Sequence, residues 1–166
     1  MSKIKLVIFD LDETLWRMED GYCSILRPPL RETAPDTLAD SIGRTIKLVG
    51  GVRELLASLS EAGIILSVAS KNDAEPTTEV MHRFKIYDYF KYPQMEWNSK
   101  GKLVTRIIDL LLENDGISIK PEEALLVDDW ESNVNDVRDL GVRTLHLSTD
   151  ISRIEEVKGL VLEDDL

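Results

Sequence analysis

The chain has 166 residues, of which 43% are hydrophobic, and its formal net charge is −11 at pH 7. This length suits one domain with a proper core, and the negative charge would repel nucleic-acid phosphates. The one cysteine, Cys23, excludes an internal disulfide, and the two histidines argue against a histidine-built zinc site or a Ser-His-Asp triad. No apolar run could span a membrane, and the first residues leave no room for a signal peptide, so we expect a cytoplasmic protein.

The first predicted element is a strand over residues 4–9, a nearly unbroken apolar run typical of a strand buried on both faces of a parallel sheet. It ends at Asp10, and Asp12 and Thr14 follow. Strand alternation would place Asp10 and Asp12 on the same side, at the edge of the sheet where α/β proteins bind ligands. Crowded carboxylates need a cation or a shared proton, so the sequence predicts a metal here.

Residues 16–48 differ in character, because they hold three of the six prolines and have no sustained helical period. Residues 37–48 are predicted to form a hairpin that turns near residues 40–43. So long a connection is usually functional or disordered, and this one leaves directly from the acidic motif. We interpret it as a small lid over the crevice; a surface meander without a role is the alternative.

The rest of the chain alternates between helical and strand patterns. The predicted helices cover residues 51–62, 76–84, 99–114, 134–140 and 151–157; the predicted strands cover 64–69, 89–92, 124–127 and 142–147; an acidic tail follows at 163–165. This alternation implies an α/β fold with a doubly wound, mostly parallel sheet. Three strands end in polar pairs that would share one edge: Asp10/Asp12, Ser70/Lys71 and Asp128/Asp129.

Residues 9–14, FDLDET, resemble the first motif of the haloacid-dehalogenase (HAD) superfamily, an Asp-x-Asp-x-Thr that follows a hydrophobic strand. The extension through Leu15 and Trp16 is similar to its small magnesium-dependent phosphatases, the acid phosphatase group. A calcium-binding loop can open in the same way, but it requires Gly at its sixth position and Glu at its twelfth, where this sequence has Leu15 and Gly21.

Three further stretches resemble the remaining HAD motifs, and they occur in order. Ser70, at a strand end, resembles the second motif. Lys100 resembles the third, the lysine that begins a helix; we prefer it to Lys102 because Ser99-Lys100 matches the family's entry into that helix. Residues 127–133, VDDWESN, resemble the fourth motif in its double-aspartate form, with Asn133 in place of a frequent second acid.

The resemblance implies a single HAD-like, Rossmann-like domain over residues 1–166, with a small lid-like insert at about 16–48 and no large cap domain. It implies that Asp10 is the nucleophile that forms an aspartyl-phosphate and that Asp12 is the acid/base. Mg²⁺ would be held by Asp10, Asp129 and the Asp12 carbonyl. The outer positions around the metal would be Asp128 and Asn133, and the substrate-binding residues would be Leu11, Thr14, Ser70, Lys71 and Lys100.

The implied partners are phosphorylated small molecules, such as sugar phosphates, or phosphotyrosine proteins and peptides, with neither nucleic acid nor membrane, and the protein would be a monomer or homodimer. Three alternatives remain: a receiver-like phosphoacceptor, a dehalogenase that needs Asp10 but no metal, and a non-catalytic phosphate-binding module. Substrate choice is predicted to reside in residues 16–48. There Trp16 and Tyr22 offer aromatic surface, and four arginines could hold a second anionic group: Arg17, Arg27, Arg31 and Arg44.

Overall fold

The structure, a computed structural model, describes residues 3–163. Its strands are β1 (Leu6–Phe9), β2 (Trp16–Met18), β3 (Arg31–Ala34), β4 (Thr37–Ala39), β5 (Thr45–Leu48), β6 (Ile65–Ser70), β7 (Gln94–Met95), β8 (Ala124–Asp128) and β9 (Arg143–His146). Its α-helices are α1 (Val52–Glu61), α2 (Ala74–Arg83), α3 (Lys100–Asp115), α4 (Glu131–Arg138) and α5 (Glu156–Leu162). Within residues 3–163, no helix has both the length and the apolar character needed to cross a membrane.

The central sheet is parallel, in the order β7-β6-β1-β8-β9, with β1 in its middle. All of β1 is buried, because alternate side chains enter two apolar layers on opposite faces. Val7 and Phe9 pack in the layer that includes α1, α2 and α5, whereas Leu6 and Ile8 pack with α3 and α4. The predicted α/β fold with a doubly wound sheet is therefore confirmed.

The insert folds as an antiparallel sheet in the order β2-β5-β4-β3. The hairpin predicted for residues 37–48 is present as β4 and β5, and Asp40 lies at its turn. The buried Asp40 carboxylate accepts backbone N–H bonds from Arg27, Ile42 and Arg44, and the Arg44 guanidinium at 2.9 Å. Burial alone would raise the pKa of Asp40, but these donors lower it to about 2.

The strand predicted at residues 89–92 is wrong. Residues Tyr87–Tyr89 form a 3₁₀ turn, Phe90 makes a single bridge to Leu66, and the edge strand lies instead at β7. Tyr92 has a positive φ of 50°, which interrupts an extended chain before Pro93. The aromatic side chains of this stretch therefore belong to a turn that packs on the core, and they do not mark a strand.

The helix predicted for residues 151–157 is also misplaced, since α5 begins at Glu156. Ile151 makes a backbone bridge to Leu147, and the Glu156 carboxylate accepts bonds from Ser152 and from the Arg153 N–H, so the chain turns before the helix begins. Of the acidic tail predicted at residues 163–165, residues 164 and 165 lie outside the described residues.

Candidate active site

A cleft of about 320 Å³ lies at the carboxyl edge of the central sheet, where β1, β6 and β8 end. Parallel strands that end together bring together the residues that follow them, which are distant in sequence. Seven of the residues predicted for the site line this cleft: Asp10, Asp12, Ser70, Lys71, Lys100, Asp129 and Asn133.

Lys100 is the buried cation of the site. It is the first residue of α3, its side chain is only 1% exposed, and its Nζ donates to Asp10 Oδ1 at 3.0 Å and to the Ala69 carbonyl at 2.6 Å. It also lies 3.1 Å from Asp128 Oδ2. Burial would lower the pKa of Lys100, but the Asp10 and Asp128 carboxylates raise it, so the lysine stays charged.

The buried carboxylates respond in the opposite direction. Burial raises the pKa of Asp10 to about 6, although Lys100 acts to lower it, and the charge of Asp129 raises it further. Burial and the charge of Asp10 raise the pKa of Asp128 to about 6. Burial also raises the pKa of Asp129. One lysine thus compensates only part of the negative charge that these carboxylates carry when ionised.

Three carboxylates could share a metal ion. Asp10, Asp128 and Asp129 each offer one oxygen, and these oxygens lie within 4.8 Å of one another. Because the donors are all hard carboxylate oxygens and carry excess negative charge, the set fits Mg²⁺. Asp128 is already engaged by Lys100, by the Trp130 N–H at 2.8 Å and by Asn133 Nδ2 at 3.2 Å. This leaves Asp10 and Asp129 as the more available oxygen donors.

Asp12 lies at the cleft with both carboxylate oxygens hydrogen-bonded. Oδ1 accepts from Trp16 Nε1 at 2.8 Å and from the Cys23 N–H at 3.0 Å, and Oδ2 accepts from Asn72 Nδ2 at 2.6 Å. Its carboxylate is not part of the group of three described above. The Asp12 side chain is therefore held in place at the cleft by three donors.

The other predicted substrate-binding residues differ in their access to the cleft. Ser70 is buried and accepts from Asn72 Nδ2 at 2.8 Å, and Lys71 is exposed at the cleft mouth. Thr14 lies behind the carboxylates, with Oγ1 at 3.5 Å from Asp10 and 3.4 Å from Asp129. The Leu11 side chain is buried in the apolar core. Neither the Thr14 nor the Leu11 side chain lines the cleft, so their predicted substrate contacts gain no support from the side-chain positions.

The prediction that an arginine of the insert holds a second anionic group of the substrate gains no support from the structure. Arg17, Arg27 and Arg31 are exposed and do not line the cleft, and Arg44 is bound to Asp40 and to the Ile25 carbonyl. Trp16 is fully buried, with its indole N–H on Asp12, so it offers no open aromatic surface. At the cleft, the residues of the insert are Gly21 and Tyr22.

Sequence reasoning missed several residues of the cleft wall. Trp97 and Trp130 are 58% and 64% exposed and line the cleft with Tyr22, whose ring meets Trp97 edge-on at 5.5 Å. Asn72, which does not line the cleft but donates to Asp12 at its edge, was missed as well, although it follows Ser70 by two residues on the same loop. Proximity to a motif was the available signal for Asn72 and Trp130, whereas the pairing of Tyr22 with Trp97 depends on how the insert packs.

Solved structures that share this fold include HAD-superfamily hydrolases. An HAD-superfamily hydrolase from Ehrlichia chaffeensis matches with a TM-score of 0.67 and 16% identity, with 98% of each chain covered. One from Geobacter sulfurreducens, of subfamily IA, matches with a TM-score of 0.67 and 18% identity over 95% of this chain and 96% of that one. At these identities the similarity establishes the fold.

A third structure is the N-terminal part of a Bacteroides fragilis protein, which contains a phosphatase domain complexed with Mg. It matches with a TM-score of 0.61 and 21% identity over 97% of this chain and 39% of that chain. A comparison with curated proteins gives no match. At 21% identity the match to the Bacteroides fragilis domain likewise establishes the fold.

The family is shown by the sequence itself. The family model described as Acid Phosphatase matches residues 3–162, nearly the whole chain, and the chain belongs to that family. The resemblance first seen in residues 9–14 is therefore confirmed.

Proposed function

We propose that this protein is a magnesium-dependent phosphatase that hydrolyses phosphomonoesters through an aspartyl-phosphate on Asp10. The observation that carries the proposal is the contact between buried Lys100 and Asp10, 3.0 Å long, on the floor of a cleft whose carboxylates cluster within 4.8 Å. A lysine buried against a carboxylate nucleophile keeps that carboxylate ionised and offsets the charge of an incoming phosphate.

In the proposed reaction, the two aspartates that follow β1 have separate roles. An Asp10 oxygen attacks phosphorus, the bond from phosphorus to the ester oxygen breaks, and Asp12 gives a proton to the departing oxygen. In the second half, Asp12 takes a proton from water, whose oxygen attacks phosphorus. The phosphorus–Asp10 bond then breaks and releases inorganic phosphate. Ser70 and Lys100 are the donors proposed to bind the phosphoryl oxygens.

The cofactor of this proposal is Mg²⁺, held by Asp10, Asp129 and the Asp12 carbonyl, with Asp128 and Asn133 as outer partners. When bound, it supplies positive charge that lets an anionic carboxylate approach a phosphate and polarises the phosphoryl group. The fit of the carboxylate set supports this assignment, as does the Mg complex of the Bacteroides fragilis phosphatase domain.

The substrates we propose are phosphorylated small molecules, with sugar phosphates and phosphotyrosine peptides as the first to test. A cleft of about 320 Å³ with exposed aromatic walls supports a leaving group that presents a flat ring. We also propose the insert as a lid-like element of a single domain, since Gly21 and Tyr22 form part of the cleft wall.

The decisive experiment measures phosphate release by the purified protein from a panel of aryl phosphates, sugar phosphates and phosphotyrosine peptides. The panel is run with Mg²⁺ and with excess chelator, with metal content checked. We expect turnover with Mg²⁺, loss with the chelator and recovery when Mg²⁺ is restored. Undiminished turnover in the chelator would refute the metal requirement, and no turnover of any monoester would refute the phosphatase assignment.

A further inference from the structure

Asn72 is a buried side chain at the place where the insert meets the loop after β6. It is 1% exposed, and each polar atom of its amide has two partners. Nδ2 donates to Asp12 Oδ2 at 2.6 Å and to Ser70 Oγ at 2.8 Å. Oδ1 accepts from the Ser24 N–H at 3.1 Å and from Ser24 Oγ at 2.6 Å. Asn72 therefore joins the acid/base residue to the insert.

The contacts fix which way the amide faces. The Ser24 backbone N–H can only donate, so the atom opposite it has to be the amide oxygen. This leaves the NH₂ group directed at Asp12 and Ser70, both of which can accept. Ser24 is held in turn, because its Oγ accepts from the Asp73 N–H at 2.7 Å. The insert therefore orients Asn72 as a donor toward Asp12.

The same part of the insert also contacts Asp12 directly, through the Cys23 N–H at 3.0 Å. Together with Trp16 Nε1, it restrains Oδ1, while Asn72 restrains Oδ2. A carboxylate bonded at both oxygens cannot rotate about its χ2 bond without losing a partner. A general acid has to hold its proton within hydrogen-bond reach of the leaving oxygen, so this restraint bears on its function.

We infer that Asn72 is a positioning residue for Asp12, and that Ser24 maintains it in that role. The inference rests on the proposed function, in which Asp12 protonates the leaving group. Its consequence is that the insert takes part in acid/base catalysis through Cys23 and Ser24, besides forming a wall of the cleft. Loss of Asn72 frees Oδ2 of Asp12. Loss of the Ser24 hydroxyl removes one of the two bonds that Ser24 donates to the Asn72 amide oxygen.

The test compares two substrates that differ in their need for an acid. An alkyl phosphate such as glycerol phosphate has a leaving oxygen that requires protonation, whereas p-nitrophenyl phosphate has a good leaving group that hardly does. We expect Asn72→Ala to lower the single-turnover rate of leaving-group release by about tenfold or more for the alkyl phosphate and by less than about threefold for the aryl phosphate. This rate is the readout because the later hydrolysis, in which Asp12 is the proposed base, is common to both substrates. Asn72→Asp, of the same shape, turns a carboxylate toward Asp12 and should cause a larger loss.

Ser24→Ala is the second variant, because it keeps both Asn72 and the Ser24 N–H, and we expect the same selectivity for the alkyl phosphate with a smaller loss. Asn114→Ala is the matched control: Asn114 is exposed near the far end of α3, about 21 Å along the helix from Lys100. Thermal unfolding and circular dichroism of every variant establish that it is folded. If Asn72→Ala does not fold, the result for Ser24→Ala decides.

The inference is overturned if folded Asn72→Ala and Ser24→Ala slow leaving-group release by the same factor on both substrates, change KM alone, or match the wild type. Those results differ from a failure of the proposed function, which would appear as no turnover of either substrate by the wild type and would remove the inference with it. A selective loss on the alkyl phosphate supports the positioning role, because a general loss of structure would not depend on the leaving group.

Discussion

At the scale of single residues, the site depends on how buried charges are compensated. Lys100 lies between Asp10 and Asp128, at 3.0 and 3.1 Å, and is almost inaccessible to water. Burial raises the pKa of both carboxyls, whereas the lysine lowers them. The ionisation of Asp10 at neutral pH therefore depends on one cation of the chain.

The assignment of Asp10 and Asp12 to different roles predicts different defects. Asp10→Asn removes the attacking oxygen and should abolish turnover, whereas Asp12→Asn should still allow slow phosphorylation but impair leaving-group departure or hydrolysis. Loss of such a group commonly lowers kcat by about 10²- to 10⁴-fold. Steady-state and single-turnover kinetics would measure this. If Asp10→Asn retains about a tenth of the wild-type kcat, with deamidation excluded, Asp10 is not the nucleophile.

Removal of the buried cation should affect activity more than removal of its exposed neighbour. Lys100→Met keeps an apolar stem of similar length but no charge, so the pKa of Asp10 should rise further and the phosphate should lose a partner. We expect kcat to fall by about 10²-fold or more. Lys102→Met, on the exposed face of the same first turn of α3, is the control and should behave like wild type. Equal kcat values for the two variants would contradict the role of Lys100.

At the scale of elements, the insert is a sheet whose buried side chains join the core of the main sheet. Trp16, Leu38 and Ile46 pack in the same apolar cluster as Val7 and Phe9 of β1. Its hairpin turn is organised by the buried carboxylate of Asp40, which accepts three backbone N–H groups. The bond from the Arg27 N–H therefore joins this turn to the chain that precedes β3.

Substitution of Asp40 should destabilise the protein. Asp40→Ala leaves buried donors of the turn without an acceptor, and we expect the free energy of unfolding in urea to fall by about 1–3 kcal/mol. Because the pKa of Asp40 is lowered in the folded state to about 2, its stabilising effect is present above the ordinary value of 3.8 and is lost as the pH falls toward 2. Asp88→Ala, at an exposed position, is the control. Equal stability of the two variants would refute this role.

Substrate choice should depend on the aromatic residues that line the cleft, and it should not depend on residues 27–38 of the insert. Trp97→Ala and Tyr22→Ala remove rings that line the cleft, so kcat/KM should change more for ring-bearing substrates than for alkyl phosphates. Residues 27–38, which include β3 and no residue of the cleft lining, can be replaced by a Gly/Ser linker for comparison. That replacement should lower stability while it preserves the substrate ratios. A panel in which the ring variants change every substrate by one factor would contradict the hypothesis.

At the scale of the whole molecule, an acidic protein places its carboxylates at one edge of its sheet. The chain has 31 acidic and 20 basic residues, and its net charge of −11 disfavours a further anionic cluster in the folded state. A cation that binds among Asp10, Asp128 and Asp129 would relieve that repulsion. The stability of the protein should therefore be linked to both pH and Mg²⁺.

In the absence of metal, stability should fall as the pH rises from about 4 to about 6. Asp10 and Asp128 have raised pKa values of about 6, so in this range the folded state binds more protons than the unfolded state, and rising pH favours unfolding. Mg²⁺ requires the ionised carboxylates, so it should raise the midpoint of thermal unfolding more near about pH 7.5 than near about pH 5. NaCl at matched ionic strength is the control. A Mg²⁺ effect that does not depend on pH would contradict this linkage.

Much of the fold could be predicted from the sequence because its elements carry local patterns. The apolar run before Asp10 identified the central strand, and Ser99 and Gly116 marked the two ends of α3, where the Ser99 hydroxyl accepts the Lys102 N–H and Gly116 adopts a left-handed conformation. The predictions failed at residues 89–92 and 151–157, where single backbone bridges and side-chain bonds, rather than a repeated pattern, decide the conformation.

The sequence by itself determined which of these residues meet at the cleft, since strand ends of a parallel sheet converge and Asp10, Ser70, Lys100 and Asp129 each follow or precede a recognisable element. Only the tertiary structure decided what surrounds them. Asn72 meets Ser24 across 48 residues and Asp12 across 60, and Tyr22 meets Trp97 across a longer interval. These contacts arise from the way the insert packs on the central sheet, and no local periodicity encodes such packing.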